Sequence, residues 1–130
     1  MIVRTARCSC GQLTATCTGE PVRVSICHCQ ACQRRTGSAF GAQARFLVAD
    51  VAFAGTASEY VRTGEGGTRA VFSFCPTCAS IVYWKVEGDT EQVAIAIGAF
   101  AGEPFPAPRI SMYGEQGHAW VRLPDDIEHG

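Results

Sequence analysis

Seven of the eight cysteines in this chain fall into three short clusters, Cys8-Ser-Cys10-Gly11, Cys27-His-Cys29-Gln-Ala-Cys32 and Cys75-Pro-Thr-Cys78. Thiolates one or two residues apart can close on a single ion at ~2.3 Å, and the turns between them aim backbone N–H groups at the sulfurs. The pattern predicts zinc: two pairs complete one tetrahedral site, and the remaining group supplies three ligands with one position open. Disulfides are the rival use of so many cysteines. A small secreted framework spreads its cysteines along the chain behind a signal peptide, whereas these are bunched, and Met1-Ile-Val-Arg4 opens no long apolar stretch. Cys27 and Cys29 are also too close in sequence to bridge each other within normal disulfide geometry.

With 130 residues, 47% hydrophobic and 18% charged, the chain is expected to form one soluble domain, residues 1–130, with a core of its own. A net charge of −1 and a pI near 6.3 provide no field favouring nucleic acid or an anionic membrane surface. No run approaches transmembrane length, so the expected compartment is the cytoplasm.

Short, often alternating segments punctuated by glycine and proline predict a mostly β fold. Candidate strands are Gln12 to Thr18, Val22 to Ile26, Gln43 to Val48, Ser58 to Arg62, Arg69 to Phe74, Ile81 to Val86, Gln92 to Ile97 and Arg109 to Tyr113. In Val93-Ala-Ile95-Ala-Ile97 the branched residues share one face and the alanines the other, so both faces are expected to be covered. One short helical turn is expected from about Gln30 to Arg35, ended by Gly37. It would set Cys29 and Cys32 on one face, with Cys27 arriving from the preceding strand. Asp125 to Gly130 reads as a frayed polar tail.

Cys8 and Cys10 lie far in sequence from Cys75 and Cys78, so a zinc they share would tie distant segments together and keep no open position. Gly11 suits the left-handed backbone that such knuckles use. Cys27, Cys29 and Cys32 form a triad without a fourth cysteine, the arrangement of a catalytic zinc that accepts water or substrate. A thiol in that position would be held as thiolate near neutral pH. His28, flanked by two ligands, is expected to point away and to pack or hydrogen-bond instead. Cys17 lies on the face of Leu13 and Ala15 and is expected to be a buried free thiol.

Taken together, Cys8-Ser-Cys10-Gly11, Cys27-His-Cys29-Gln-Ala-Cys32-Gln-Arg-Arg-Thr-Gly37-Ser-Ala-Phe40, Phe74-Cys75-Pro-Thr-Cys78 and the late Trp120-Val resemble the glutathione-dependent formaldehyde-activating enzyme (Gfa) family, which includes centromere protein V-like proteins. The resemblance covers about residues 4–123. It implies stacked antiparallel sheets around a structural zinc, a β-tent, and two zinc ions. By motif position, Cys8, Cys10, Cys75 and Cys78 match the structural ligands, and Cys27, Cys29 and Cys32 the catalytic ones. The implied activity is a carbon-sulfur lyase reaction, condensing glutathione with formaldehyde to S-hydroxymethylglutathione. Ala79 departs from the glycine usual after the last cysteine.

On that reading glutathione and a small aldehyde are the partners, and the cationic residues after the triad, Arg34 and Arg35, are candidates for the glutathione carboxylates. Thr36, Gly37 and Ser38 are candidate hydroxyl and backbone donors, and Arg45 or His118 would reach in from elsewhere. Phe40, Phe46, Phe100 and Tyr113 are expected in the core; Trp120 is the exception that belongs to a family-like motif. Two other classes share these features: a glutathione or thiol carrier without turnover, and a structural two-zinc module that presents a surface to a partner.

Overall fold

Strict alternation in two neighbouring strands decides how this chain is layered. In the computed structural model, which describes residues 1–130, Arg23-Val-Ser-Ile-Cys27 pairs antiparallel with Gly41-Ala-Gln-Ala-Arg-Phe-Leu47. Val24 and Ile26 point to one side with Ala44 and Phe46; Arg23, Ser25 and Cys27 point to the other with Gly41, Gln43 and Arg45. One side is apolar and becomes core. The other carries charge, an amide and a thiol, and faces a cleft.

The strands are β1 (Val3–Arg7), β2 (Thr14–Thr18), β3 (Arg23–Cys27), β4 (Gly41–Leu47), β5 (Val51–Ala54), β6 (Ser58–Thr63), β7 (Arg69–Phe74), β8 (Ile81–Val86), β9 (Gln92–Ala96), β10 (Ile110–Met112) and β11 (Glu128–His129), with one helix, α1 (Gln30–Thr36). They form a three-stranded sheet, β1-β2-β5, and an eight-stranded sheet, β11-β10-β3-β4-β9-β8-β7-β6. From β3 to β6 the larger sheet is antiparallel, but β10 runs parallel to β3 and β11 parallel to β10. The two-sheet, mostly β arrangement is the one expected, and only this edge departs from antiparallel pairing. A parallel neighbour needs a long crossover, and the chain between β3 and β10 is long enough to provide one.

The main core lies between the sheets. Ala6, Ala15 and Cys17 from the small sheet, with Leu13 just before β2, meet Val24, Phe46, Val82, Val93 and Ile95 from the large one, closed by Phe100. Phe46, Phe100, Leu13 and Ile95 are among the largest fully buried side chains, each contributing roughly 1.5–3 kcal/mol. Cys17 is buried here as expected, and burial pushes its thiol up to about 12. On the far side of the large sheet Phe72, Trp84 and Ala94 form a second, smaller cluster.

The sequence reading missed β1 and β5. In β1 the buried positions are Arg4 and Ala6 while Val3 is exposed, so its polarity is inverted. Arg4 can be buried because it reaches Glu20 at 3.3 Å and stacks over Phe105 at 5.0 Å. The frayed tail is also corrected. Ile127 is buried, and β11 is held by backbone bonds from the Glu128 N–H to the Arg109 carbonyl (2.9 Å) and from the Gly130 N–H to the Ser111 carbonyl (2.8 Å). Such bonds leave no mark on composition.

Cys8 and Cys10 follow β1 of the small sheet, and Cys75 and Cys78 follow β7 of the large one, so the two cysteine turns meet across the layers. Each turn closes alike. The Gly11 N–H donates to the Cys8 carbonyl at 3.0 Å, and the Ala79 N–H to the Cys75 carbonyl at 2.8 Å. Both residues are left-handed, Gly11 at φ 85° and Ala79 at φ 69°. Glycine adopts this freely, whereas alanine there costs about 1 kcal/mol, partly offset by its lower unfolded entropy. Urea unfolding of metal-saturated protein should therefore show Ala79→Gly raising stability by up to about 1 kcal/mol and Gly11→Ala lowering it by about the same. A loss of stability in Ala79→Gly would contradict the strained turn.

Candidate metal centres and an arginine-lined cleft

The sulfurs of Cys8, Cys10, Cys75 and Cys78 all lie within 4.8 Å of one another, with Cys8 to Cys10 and Cys10 to Cys75 each 3.6 Å. A tetrahedral zinc with ~2.3 Å bonds places its sulfurs ~3.8 Å apart, so this donor set fits one ion. The surroundings also suit thiolates. Cys8 Sγ accepts the Leu13 N–H (3.3 Å), and Cys75 Sγ accepts the Thr77 N–H (3.4 Å) and the Gln12 amide (2.9 Å). Gln12 is itself fixed by two bonds to the Thr56 backbone, at 2.7 and 2.8 Å. The Cys78 thiol is pulled down to about 5, chiefly by the Ser80 hydroxyl and backbone.

The sulfurs of Cys27, Cys29 and Cys32 form a second group within 4.8 Å. β3 delivers Cys27; α1 delivers the others. Cys29 is the helix N-cap, and its sulfur accepts the Cys32 N–H at 3.3 Å. The helix stops at Gly37, left-handed at φ 68°, whose N–H returns to the Gln33 carbonyl. Cys32 is lowered to about 5 by the hydrogen bond from Cys27, against the effect of burial and with help from Cys29 and the Arg35 guanidinium. The same bond pushes Cys27 up. Three sulfurs grouped this closely, with the Cys32 thiol favoured as thiolate, fit a zinc with one position left for another ligand.

This triad opens onto a cleft of about 1100 Å³ over the far face of the large sheet. Four arginines line it, Arg23, Arg35, Arg45 and Arg62, against one carboxylate, Glu65. None of the four joins an ion pair; the protein's ion pairs are Arg4 with Glu20 and Arg69 with Glu87. Arg35 and Arg62 share the Phe72 ring at 5.3 and 5.0 Å, and Arg35 also lies 4.3 Å from the Trp84 centroid. Arg35 Nε and Arg62 Nη1 are buried without a hydrogen-bond partner. Gly41 makes the room: a Cβ there would stand 2.8 Å from Arg35 Nη2.

The structure brings Arg35 and Arg45 into the cleft but not the other expected substrate contacts. Arg34 is exposed on the outer side of α1. Thr36 Oγ1 donates to the Cys32 carbonyl at 2.8 Å and accepts the Ser38 N–H at 3.1 Å, and Gly37 is the helix cap, so these three residues finish the helix. His28 points away from the triad as expected and is buried, its Nε2 2.9 Å from Ser111 Oγ. Burial, then His129, lowers its pKa. His118 is hydrogen-bonded to Gln33 at 2.9 Å and stacked on exposed Trp120, outside the cleft. Phe46 and Phe100 are core, whereas Phe40 is half-buried against His28 and Tyr113 lines the cleft rim, left-handed at φ 54°. Arg23, Gln43 and Arg62 were missed. Alternation alone would have put Arg23 on the face of Cys27, but Gln43 and Arg62 needed the pairing register.

A sequence profile described as glutathione-dependent formaldehyde-activating enzyme matches residues 3–116. No curated protein sequence matches the chain significantly. Among solved structures, a crystal structure of a Rhodobacter sphaeroides protein superposes with a TM-score of 0.58 at 18% identity, covering 77% of this chain and 90% of that one. That likeness supports the fold alone. No helix is long and apolar enough to cross a membrane. With the profile spanning nearly the whole domain and all three cysteine clusters, the chain belongs to the glutathione-dependent formaldehyde-activating enzyme family.

Proposed function

We propose that this protein is a zinc-dependent carbon-sulfur lyase that condenses glutathione with formaldehyde or a related small aldehyde at Cys27, Cys29 and Cys32, while Cys8, Cys10, Cys75 and Cys78 hold a purely structural ion. The observation that carries the reading is the placement of an open three-sulfur group at the edge of a cleft whose four arginines have no carboxylate partners. Zinc bound by the triad supplies a position at which a thiol is stabilised as its thiolate.

The remaining work falls to the protein's own residues. Arg35, wedged over Gly41 and stacked on Trp84, sits beside Cys32 and offsets the negative charge that collects there. Arg62, which shares the Phe72 ring, extends that field into the cleft for a glutathione carboxylate. The condensation joins the thiol sulfur to the aldehyde carbon, and the proton lost by sulfur is matched by one gained at oxygen. Formaldehyde is already electrophilic, so holding the two reactants together supplies most of a modest acceleration.

Exchange NMR at equilibrium should show the zinc-loaded protein speeding interconversion of formaldehyde plus glutathione with S-hydroxymethylglutathione, and Cys29→Ala losing that effect while keeping its fold and one zinc. Binding of glutathione without acceleration would make the protein a carrier. Cys75→Ala is expected to unfold the domain; if Cys29→Ala unfolds it equally, the division into two roles is wrong.

Gly41→Ala is a gentler probe, because its Cβ meets the far end of the Arg35 side chain and not backbone. It should lower kcat/KM about tenfold, the scale of one displaced charge contact, with little change in melting temperature. Unchanged kinetics would remove Arg35 from the site.

A further inference from the structure

We propose that the β3–β4 ladder flooring the cleft is a carboxylate subsite, in which the facing guanidiniums of Arg23 and Arg45 hold one carboxylate of a short thiol peptide and Gln43 Oε1 accepts an N–H from its middle. The inference rests on the reading that the triad takes the peptide's sulfur.

The register lays these groups out in order. On one face, Cys27 lies opposite Gly41, Ser25 opposite Gln43, and Arg23 opposite Arg45. Cys27 and Arg23 are four residues apart, ~13 Å along a strand, and the long arginine side chains shorten that gap. What remains matches an extended peptide of two or three residues and exceeds the reach of a minimal aminothiol.

Three features of the free protein go unanswered without such a ligand. Like charges directly opposite on neighbouring strands repel, and neither Arg23 nor Arg45 has a salt-bridge partner. Arg45 is half-buried, and burial together with Arg23 holds its pKa below the usual arginine value, only Asp89 opposing. Gln43 is 7% exposed and donates from Nε2 to Ser25 Oγ at 2.8 Å, yet its Oε1 is buried without a partner. A buried acceptor left empty is costly, and a peptide N–H lying along the ladder would satisfy it. The second arginine pair, Arg35 and Arg62, stands at the sulfur end and meets the other carboxylate.

The test is calorimetric binding of glutathione to zinc-loaded protein without formaldehyde, comparing wild type with Arg45→Met. Two derivatives accompany it: the glycine ethyl ester of glutathione, which loses one carboxylate, and N-acetylcysteinylglycine, which lacks the other. The expected result is glutathione bound about tenfold or more weakly by Arg45→Met, with wild type and variant binding one derivative equally, the one lacking the carboxylate that Arg45 holds. Arg45→Met should also melt at or above the wild-type temperature, since it removes a repelled charge. Arg23→Met repeats the measurement if that variant fails to fold.

Equal affinity of wild type and both variants for glutathione overturns the proposal, as does the same proportional loss on glutathione and both derivatives. Arg45-dependent binding without condensation sinks the catalytic reading alone; condensation and binding indifferent to both arginines sink this subsite alone. If wild type does not bind glutathione, both fall.

Discussion

The pleat of β3 is the constraint from which the rest of the structure follows. Successive side chains of a strand must point to opposite faces, so Arg23-Val-Ser-Ile-Cys27 can send Val24 and Ile26 into the core only by sending Arg23, Ser25 and Cys27 into the cleft. β4 repeats the rule, with Ala44 and Phe46 inward and Gly41, Gln43 and Arg45 outward. A slip of one residue in either strand would bury arginine against Phe100 and strand the cysteine. Stability of the core and registration of the site are thus one requirement, met by the same five residue pairs of the β3–β4 ladder.

The two sulfur groups are balanced by different means. Around Cys8, Cys10, Cys75 and Cys78 the compensating groups are fixed dipoles: backbone N–H donors, the Gln12 amide and Ser80. Dipoles offset thiolate charge without inviting a further anion. Around Cys27, Cys29 and Cys32 the compensation includes the full charge of Arg35, and three more arginines stand nearby without partners. A whole positive charge left unneutralised in the free protein draws an anionic ligand to itself. The chain's near-zero net charge hides this, because of its twelve acidic residues only Glu65 lines the cleft.

The cysteine clusters made the candidate metal sites legible, since their spacing is local and needs no knowledge of how strands pair. The same holds for α1, signalled by Gly37, and for β7 and β8, whose ends match the expected Arg69 to Phe74 and Ile81 to Val86. What was not legible depended on tertiary contact. β1 buries an arginine and exposes a valine, which makes sense only beside Glu20 and Phe105. β11 is made by backbone bonds to a neighbour that lies parallel to it. Arg34 and Arg35 are indistinguishable in sequence, yet only the second turns over Gly41 toward Trp84.

The small residues on the cleft side explain why a cavity exists there at all. Ala94 and Ala96 on β9, with Gly41 on β4, face the same way as Trp84 and Phe72 on β8 and β7. Leucines in their place would close the sheet face into a second core and leave no bed for a ligand, at a gain in buried area that the fold forgoes. The first core, pinned at one end by the meeting of the Cys8 and Cys75 turns, is what permits this. With stability secured between the sheets, the far face is free to hold unpaired charge and unfilled space, the two features an anionic ligand needs and a folding chain avoids.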